Sequence, residues 1–260
     1  MRRRRPQQVS FSLTTAISVV AGLTTATVGL TGLTGSAAWA DSTAALPLSG
    51  YAHMLVDAAH QHIYFSQGAG STGIVVTDLS GTPVTTVTGE QGATGLALSP
   101  DGGTLYTALT DGDALAAIDT TTLAETTRVP TGTGSAPVSA AVAGGRVWYG
   151  YTVTDAAGDA RGAIGSVDPT ATPPTATTES AMGSWGVAPI LAAGGGVLAA
   201  EEPQQSLSHV ATYDVSSGTA TTKADTSVYG GKATGLQVTT DGTRLLFAAI
   251  GRDGLGSALS

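Results

Sequence analysis

A repeat period of 42 to 50 residues is the feature that most restricts how this 260-residue chain can fold. Turn signals fall at Ala59-His60, Asp101-Gly102, Gly144-Gly145, Gly194-Gly195 and Asp241-Gly242, in steps of 42, 43, 50 and 47 residues. An apolar strand follows each: Ile63-Tyr64-Phe65, Leu105-Tyr106-Thr107, Val147-Trp148-Tyr149, Val197-Leu198-Ala199 and Leu245-Leu246-Phe247. A second apolar run then ends in aspartate at Asp78, Asp119, Asp168 and Asp214. Self-similarity on this scale marks an array whose units each bury an apolar face against a neighbour.

Each unit reads as strand, tight turn, strand, variable loop, strand closed by Asp, short turn and a Thr-rich fourth strand. The runs are short, bounded by Gly, Pro, Asp and Ser, rich in Thr, Val and Ala, and lack a helical period. The expected fold class is therefore all-β, a β-propeller of four-stranded blades. Runs such as Gly95-Leu96-Ala97-Leu98, apolar without strict alternation, fit sheets buried on both faces. The four aspartates can each accept N–H bonds from the following turn, which gives them a structural role; a ring of ion ligands is the alternative.

Residues 94–132 contain Leu98-Ser99-Pro100-Asp101-Gly102, Leu105-Tyr106, Ala117-Ile118-Asp119-Thr120 and Val129-Pro130-Thr131-Gly132. This unit resembles the YVTN-type β-propeller repeats of bacterial and archaeal surface proteins, with weaker copies at 51–92 and 233–260. Leu109 stands where that family often has Asn. The resemblance implies an extracellular or envelope location and an interaction role rather than catalysis. The units span about 51–92, 93–135, 136–184, 185–232 and 233–260, four full and a fifth incomplete. Either the array is truncated, or residues 43–50, which align with 82–89, supply the outer strand of a fifth blade and close a ring. The Gly-rich stretch 251–260 favours truncation and, with it, self-association through an open end.

The first forty residues read as an address. Arg2 to Arg5 are followed by a Thr-rich apolar stretch and by Ser36-Ala37-Ala38-Trp39-Ala40, with Ala38 and Ala40 at the positions a signal peptidase reads. Pro6 follows Arg4-Arg5 where a twin-arginine signal has an apolar pair, so general secretion is expected. Cleavage would leave 41–260 without a membrane segment, and an uncleaved anchor is the rival. The mature chain would keep seven basic and all 19 acidic residues, net −12, which disfavours nucleic acid and anionic lipid. Two lysines and no asparagine match a GC-rich, actinobacterial codon bias.

Chemical signals are sparse. Residues 68–73 fit G-x-G-x-x-G, but they lie between two strands and open no helix, so no nucleotide cofactor is expected. Asp57, His60 and His62 form a His-rich spot too small for a zinc site, and neither a metal nor any other cofactor is expected. No catalytic residue is assigned. Loops between second and third strands hold Asp111, Asp113, Asp155, Asp159, Glu201 and Glu202, an acidic rim suited to a cation or a basic partner. Trp185 and Tyr229 sit in connections near the same face, where either could stack on sugar or peptide or cover the core. Residues 169–180 form an edge strand with poor pairing or a linker. The primary expectation is a secreted, non-catalytic module binding an extracellular protein or carbohydrate. The alternatives are a secreted propeller lyase or lactonase and a structural envelope repeat protein. N-terminal sequencing of protein from culture medium should begin at Asp41; intact Arg2 to Arg5 in a membrane fraction would show an anchor instead.

Overall fold

The computed structural model describes residues 45–48, 50–154, 157–183, 185–203, 207–229, 232–250 and 258–259. Ala38 and Ala40 lie outside them. Among the described residues, five antiparallel sheets follow one another. The first comprises β1 (His53–Asp57), β2 (His62–Ser66), β3 (Gly73–Asp78) and β4 (Pro83–Thr88). The second has β5 (Ala93–Leu98), β6 (Thr104–Leu109), β7 (Ala114–Asp119) and β8 (Ala124–Pro130). The third has β9 (Ser139–Ala143), β10 (Arg146–Thr154), β11 (Ala160–Val167) and β12 (Ala176–Thr178). The fourth has β13 (Ile190–Gly194), β14 (Val197–Glu201), β15 (Leu207–Asp214) and β16 (Thr221–Tyr229). The fifth holds β17 (Lys232–Val238), β18 (Leu245–Ile250) and the two-residue β19 (Ala258–Leu259).

Each sheet is a meander in which sequence neighbours pair, so its two ends differ. Turns between first and second and between third and fourth strands lie at one end. Loops between second and third strands, with the connectors to the next sheet, lie at the other. The Pro-rich stretch 169–180 yields only the short edge strand β12, paired with β11 through Gly165–Thr178 and Val167–Ala176, and a 3₁₀ turn at Ser180–Met182.

The sheets stack through their first strands, β1 on β5, β5 on β9, β9 on β13 and β13 on β17. Their side chains divide between neighbours with a period of two, as the pleat requires. In β10, Val147, Tyr149 and Tyr151 join a buried cluster with Leu115 and Val129 of the second sheet. Trp148, between them, faces the other way, into a cluster with Leu191, Leu198 and Tyr213 of the fourth. A further cluster joins Tyr64, Ile74 and Val76 to Leu96, Leu105 and Ile118. Every such strand is buried on both faces, which is why these sequences are apolar without alternating.

Where backbones meet, there is room only for glycine. A β-carbon on Gly150 would lie 1.9 Å from the Pro189 carbonyl oxygen, and one on Gly95 would lie 2.5 Å from the Ser139 α-carbon. At Gly194 the obstacle is the Thr239 carbonyl, at 2.2 Å. Hydroxyls bridge the same seams: Ser66 donates to the Thr94 carbonyl, Thr110 to Pro137 at 2.8 Å and Ser139 to Pro189 at 2.8 Å.

The first and fifth sheets make no comparable contact with each other among the described residues. Residues 45–48 and 50 are in no strand, and among the described residues no fourth strand accompanies β17 to β19. In β1, His53 and Leu55 turn toward the second sheet while Met54 and Val56 turn away, about half exposed at 46% and 44%. Leu246 of β18 is similarly exposed at the other end. Beside the short fifth sheet a cleft of about 370 Å³ opens between Thr212, Lys223, Val238 and Arg244.

The glycine seams generate a prediction. Gly150→Ala should lower stability by at least about 2 kcal/mol through overpacking against Pro189. Gly50→Ala, with no atom within 4 Å of its β-carbon, should be near neutral. Thermal unfolding of the two variants beside the parent protein checks both.

Candidate functional site

The two ends of the sheets use carboxylates differently. At the turn end, Asp78 Oδ1 accepts from the Ser80 N–H and hydroxyl and the Thr82 N–H. Asp119 Oδ1 is bonded likewise by Thr121 and Thr122, Asp168 by Thr170 and Asp214 by Ser216. The Asp-Gly turns repeat one another too: Asp101 accepts from Ser99 and Gly103, and Asp241 from Thr239 and Thr243. The Ser99 hydroxyl chiefly lowers the Asp101 carboxyl, and the Thr239 hydroxyl holds Asp241 down to about 2. All six are thus turn-forming carboxylates that stay charged in mild acid. His60 lies at this end, its Nδ1 2.8 Å from Asp57 Oδ2, while Asp57 Oδ1 accepts from the Ala59 and His60 N–H groups. His62 begins β2, its Nδ1 3.5 Å from the Tyr64 hydroxyl.

At the loop end, acids join one blade to the next. Asp111 Oδ2 accepts the Gly70 N–H at 2.6 Å, tying the loop of the second sheet to residues 67–72 of the first, which hold all but the last residue of the Gly-rich stretch. Gly92, at φ +67°, lets the intervening connector pass; a β-carbon there would lie 2.5 Å from the Asp111 nitrogen. Asp113 points forward, accepting from the Gly134 and Ala136 N–H groups at 2.7 and 2.8 Å and from the Ser135 hydroxyl. Burial opposes its charge, but these donors outweigh it and hold the carboxyl below its ordinary range.

The remaining rim residues are distributed along the array. Trp185 is buried, with its indole N–H donated to the Met182 carbonyl at 3.3 Å and its ring 4.3 Å from that of His209. His209 Nε2 is 2.8 Å from Asp225 Oδ1. Glu202 Oε1 accepts the Val187 N–H at 3.1 Å. Glu201, at the end of β14, is fully buried between Ile190 and Val210 in the sheet register. Tyr229 ends β16 opposite Leu207, and its side chain, like Asp155, lies outside the described residues. Asp159 sits 4.0 Å from the Arg161 guanidinium. Asp111 and Asp113 are therefore brought together with the segments beside them, whereas Trp185 and Glu202 belong to the joint between the third and fourth sheets, and Glu201 lies on the face of β14 opposite Leu198 and Ala200 of that joint.

One group at the loop end is missing from the rim read in the sequence. Glu90, in the connector 89–92, is fully buried, with Oε2 3.3 Å from Arg128 Nη2. Arg128 also grips Glu125 at two points, 2.9 Å from Nε and 2.7 Å from Nη2. Residues 125 and 128 would face opposite sides of a regular strand. The register of β8 shifts, pairing Thr127 with Ala117 and Glu125 with Ile118, and the extra residue Thr126 brings both onto one side. Burial, then the Glu125 charge, push the Glu90 carboxyl up to about 7, and Arg128 offsets them only in part. The acid flanked by Gly89 and Gly92 was a visible signal; the bulge was not.

No family model and no curated protein sequence matches the chain. Solved structures do. The Kuenenia stuttgartiensis hydrazine synthase is similar at 15% identity over 80% of this chain and 58% of that one, TM-score 0.60. The Dos1 propeller is similar at 16% identity, over 76% and 53%, with TM-score 0.53. The Myceliophteria thermophila Cps50 (Swd1) β-propeller domain is similar at 15% identity, over 78% and 63%, with TM-score 0.55. The chain is all-β and has the β-propeller fold, and it spans less than two thirds of each of these structures.

The forward staple is testable. Asp113→Ala removes an ionised acceptor from two N–H groups and a hydroxyl and should cost about 2 kcal/mol. Asp113→Asn, which keeps an acceptor and tolerates the positive φ of 47°, should cost less. Denaturant unfolding of both variants measures the difference.

Proposed function

We propose that the chain is a secreted, non-catalytic propeller protein that acts as an interaction module outside the cell or on its surface. The supporting observation is the stapled loop end, where Asp111 links the loops of the first two blades and Asp113 holds the connector to the third. Loops held by their neighbours offer a partner a preorganised platform, which reduces the ordering cost of binding. An extracellular protein or a carbohydrate is the proposed partner. Secretion rests on the leader pattern ending at Ala38 and Ala40, and the YVTN resemblance of residues 94–132 supports an envelope setting. The rival reading, a secreted lyase or lactonase, would draw on histidines; here His60 and His209 are each engaged by an aspartate, Asp57 and Asp225. The exposed Met54 and Val56 at one end of the series and Leu246 at the other support association of copies end to end.

The test is binding of the purified mature chain to washed cells and cell-wall polysaccharide of the producing organism. Saturable retention, weakened by Asp111→Ala together with Asp113→Ala, is expected. Turnover of a lactone or uronate polymer by the same preparation would favour the enzyme. Sedimentation should show concentration-dependent association that Met54→Glu with Val56→Glu abolishes; a monomer at all concentrations would refute the end-to-end contact.

A further inference from the structure

Glu90 is placed where its protonation state must matter. As a carboxylate, its fully buried Oε1 is an acceptor without a hydrogen-bond partner. Leaving such an oxygen unsatisfied costs the full desolvation of the group. The charged groups facing it, Glu125 and Arg128, both come from β8. Arg128 donates only one long contact to Glu90 because its fork is committed to Glu125. A proton changes the chemistry: the Glu90 carboxyl becomes a donor, and Glu125, held on the same Arg128 Nη2, is the carboxylate beside it that can accept.

The connector that carries Glu90 is bonded to the loops on both sides. The Gly89 N–H donates to the Thr72 carbonyl at 3.0 Å, and the Gly92 N–H to Ser71 at 2.9 Å. The Thr110 N–H donates to the Gly92 carbonyl at 3.0 Å, immediately before Asp111. Arg128 Nη2 reaches back to the Gly89 carbonyl at 3.2 Å. Displacement of Glu90 therefore moves the anchor points of residues 67–72 and 110–113 together.

We infer that Glu90 is a proton-operated latch on the loop end: one proton shared with Glu125 beneath Arg128 holds the connector between the first two blades, and losing it loosens the loops attached there. The sign follows from linkage. The folded chain holds this proton more tightly than the unfolded chain, so the contribution to stability is complete in acid, below the ordinary carboxyl value of 4.5. It declines as pH rises toward about 7 and is gone above that. The latch concerns the order of the loops themselves, so it stands or fails independently of what they bind.

Amide exchange in the full mature chain, corrected for intrinsic rates, tests it at Gly70, Gly92 and Thr110. Protection should fall at least about tenfold between about pH 5.5 and about pH 8.5 in the wild type, because local opening then releases the cost of the buried charge. Glu90→Gln should keep its protection at both values. An equal fall in Glu90→Gln, or none in the wild type, would overturn the latch. If the variant does not fold, carboxyl carbon-13 titration of the wild type decides: a Glu90 midpoint near 7 is expected, and one in the ordinary carboxylate range refutes the inference.

Discussion

Direct approach of one sheet's backbone to the next is the constraint on which this architecture rests. At Gly95, Gly150 and Gly194 a glycine meets main-chain atoms of the following unit, and each seam lacks space for a β-carbon. The 36 glycines include these three, whose role is steric; their φ values require no left-handed conformation. Close approach lets the hydroxyls of Ser66, Thr110 and Ser139 reach carbonyls across the seam, which satisfies those buried polar groups. It also sets the distance at which Trp148, Tyr149 and Tyr64 fill the broader space outside. Stability in such an array resides in neighbour interfaces as much as in units.

Carboxylates divide the labour between the two ends. At the turn end, each aspartate serves its own hairpin and accepts from residues two to four positions away. At the loop end the bonds span 21 to 41 positions and tie a loop to the preceding blade or to the connector that leads to the next. Asp101, Asp214 and Asp241 are exposed, Asp78, Asp119 and Asp168 partly so, and short-range donors hold all six low. Glu90 is buried and pushed up, because burial outweighs its single cationic contact. The same functional group therefore fixes local shape at one end and joins units at the other.

The sheets and the repeat phase were legible because strand ends carry turn residues with definite roles: Asp101-Gly102, Asp241-Gly242 and the aspartates closing β3, β7, β11 and β15. Burial on both faces was also legible, from runs such as 95–98. Which carboxylates face which donors was not, since Asp111 and Gly70 lie 41 positions apart and meet only when two sheets stack. Trp185, read as an aromatic of the loop face with two open roles, is placed in the core by its bridge to Gly162 and its bond to Met182. The Glu90–Glu125–Arg128 cluster escaped for a stricter reason. Strand periodicity assigns residues 125 and 128 to opposite faces, and only the shift around Thr126 reverses that assignment.

The division of β10 into two sets of side chains has a consequence for how such chains change over generations. Val147, Tyr149 and Tyr151 answer to the unit before, Trp148 and Gly150 to the unit after. A recombination event that adds or removes one whole repeat keeps every forward-facing surface against a backward-facing one. A crossover that breaks a strand and restores it one residue out of phase exchanges the two surfaces and destroys both seams at once. Growth and loss by complete units is therefore the inexpensive route for this gene, and the count of units is freer to drift than the residues within any one strand.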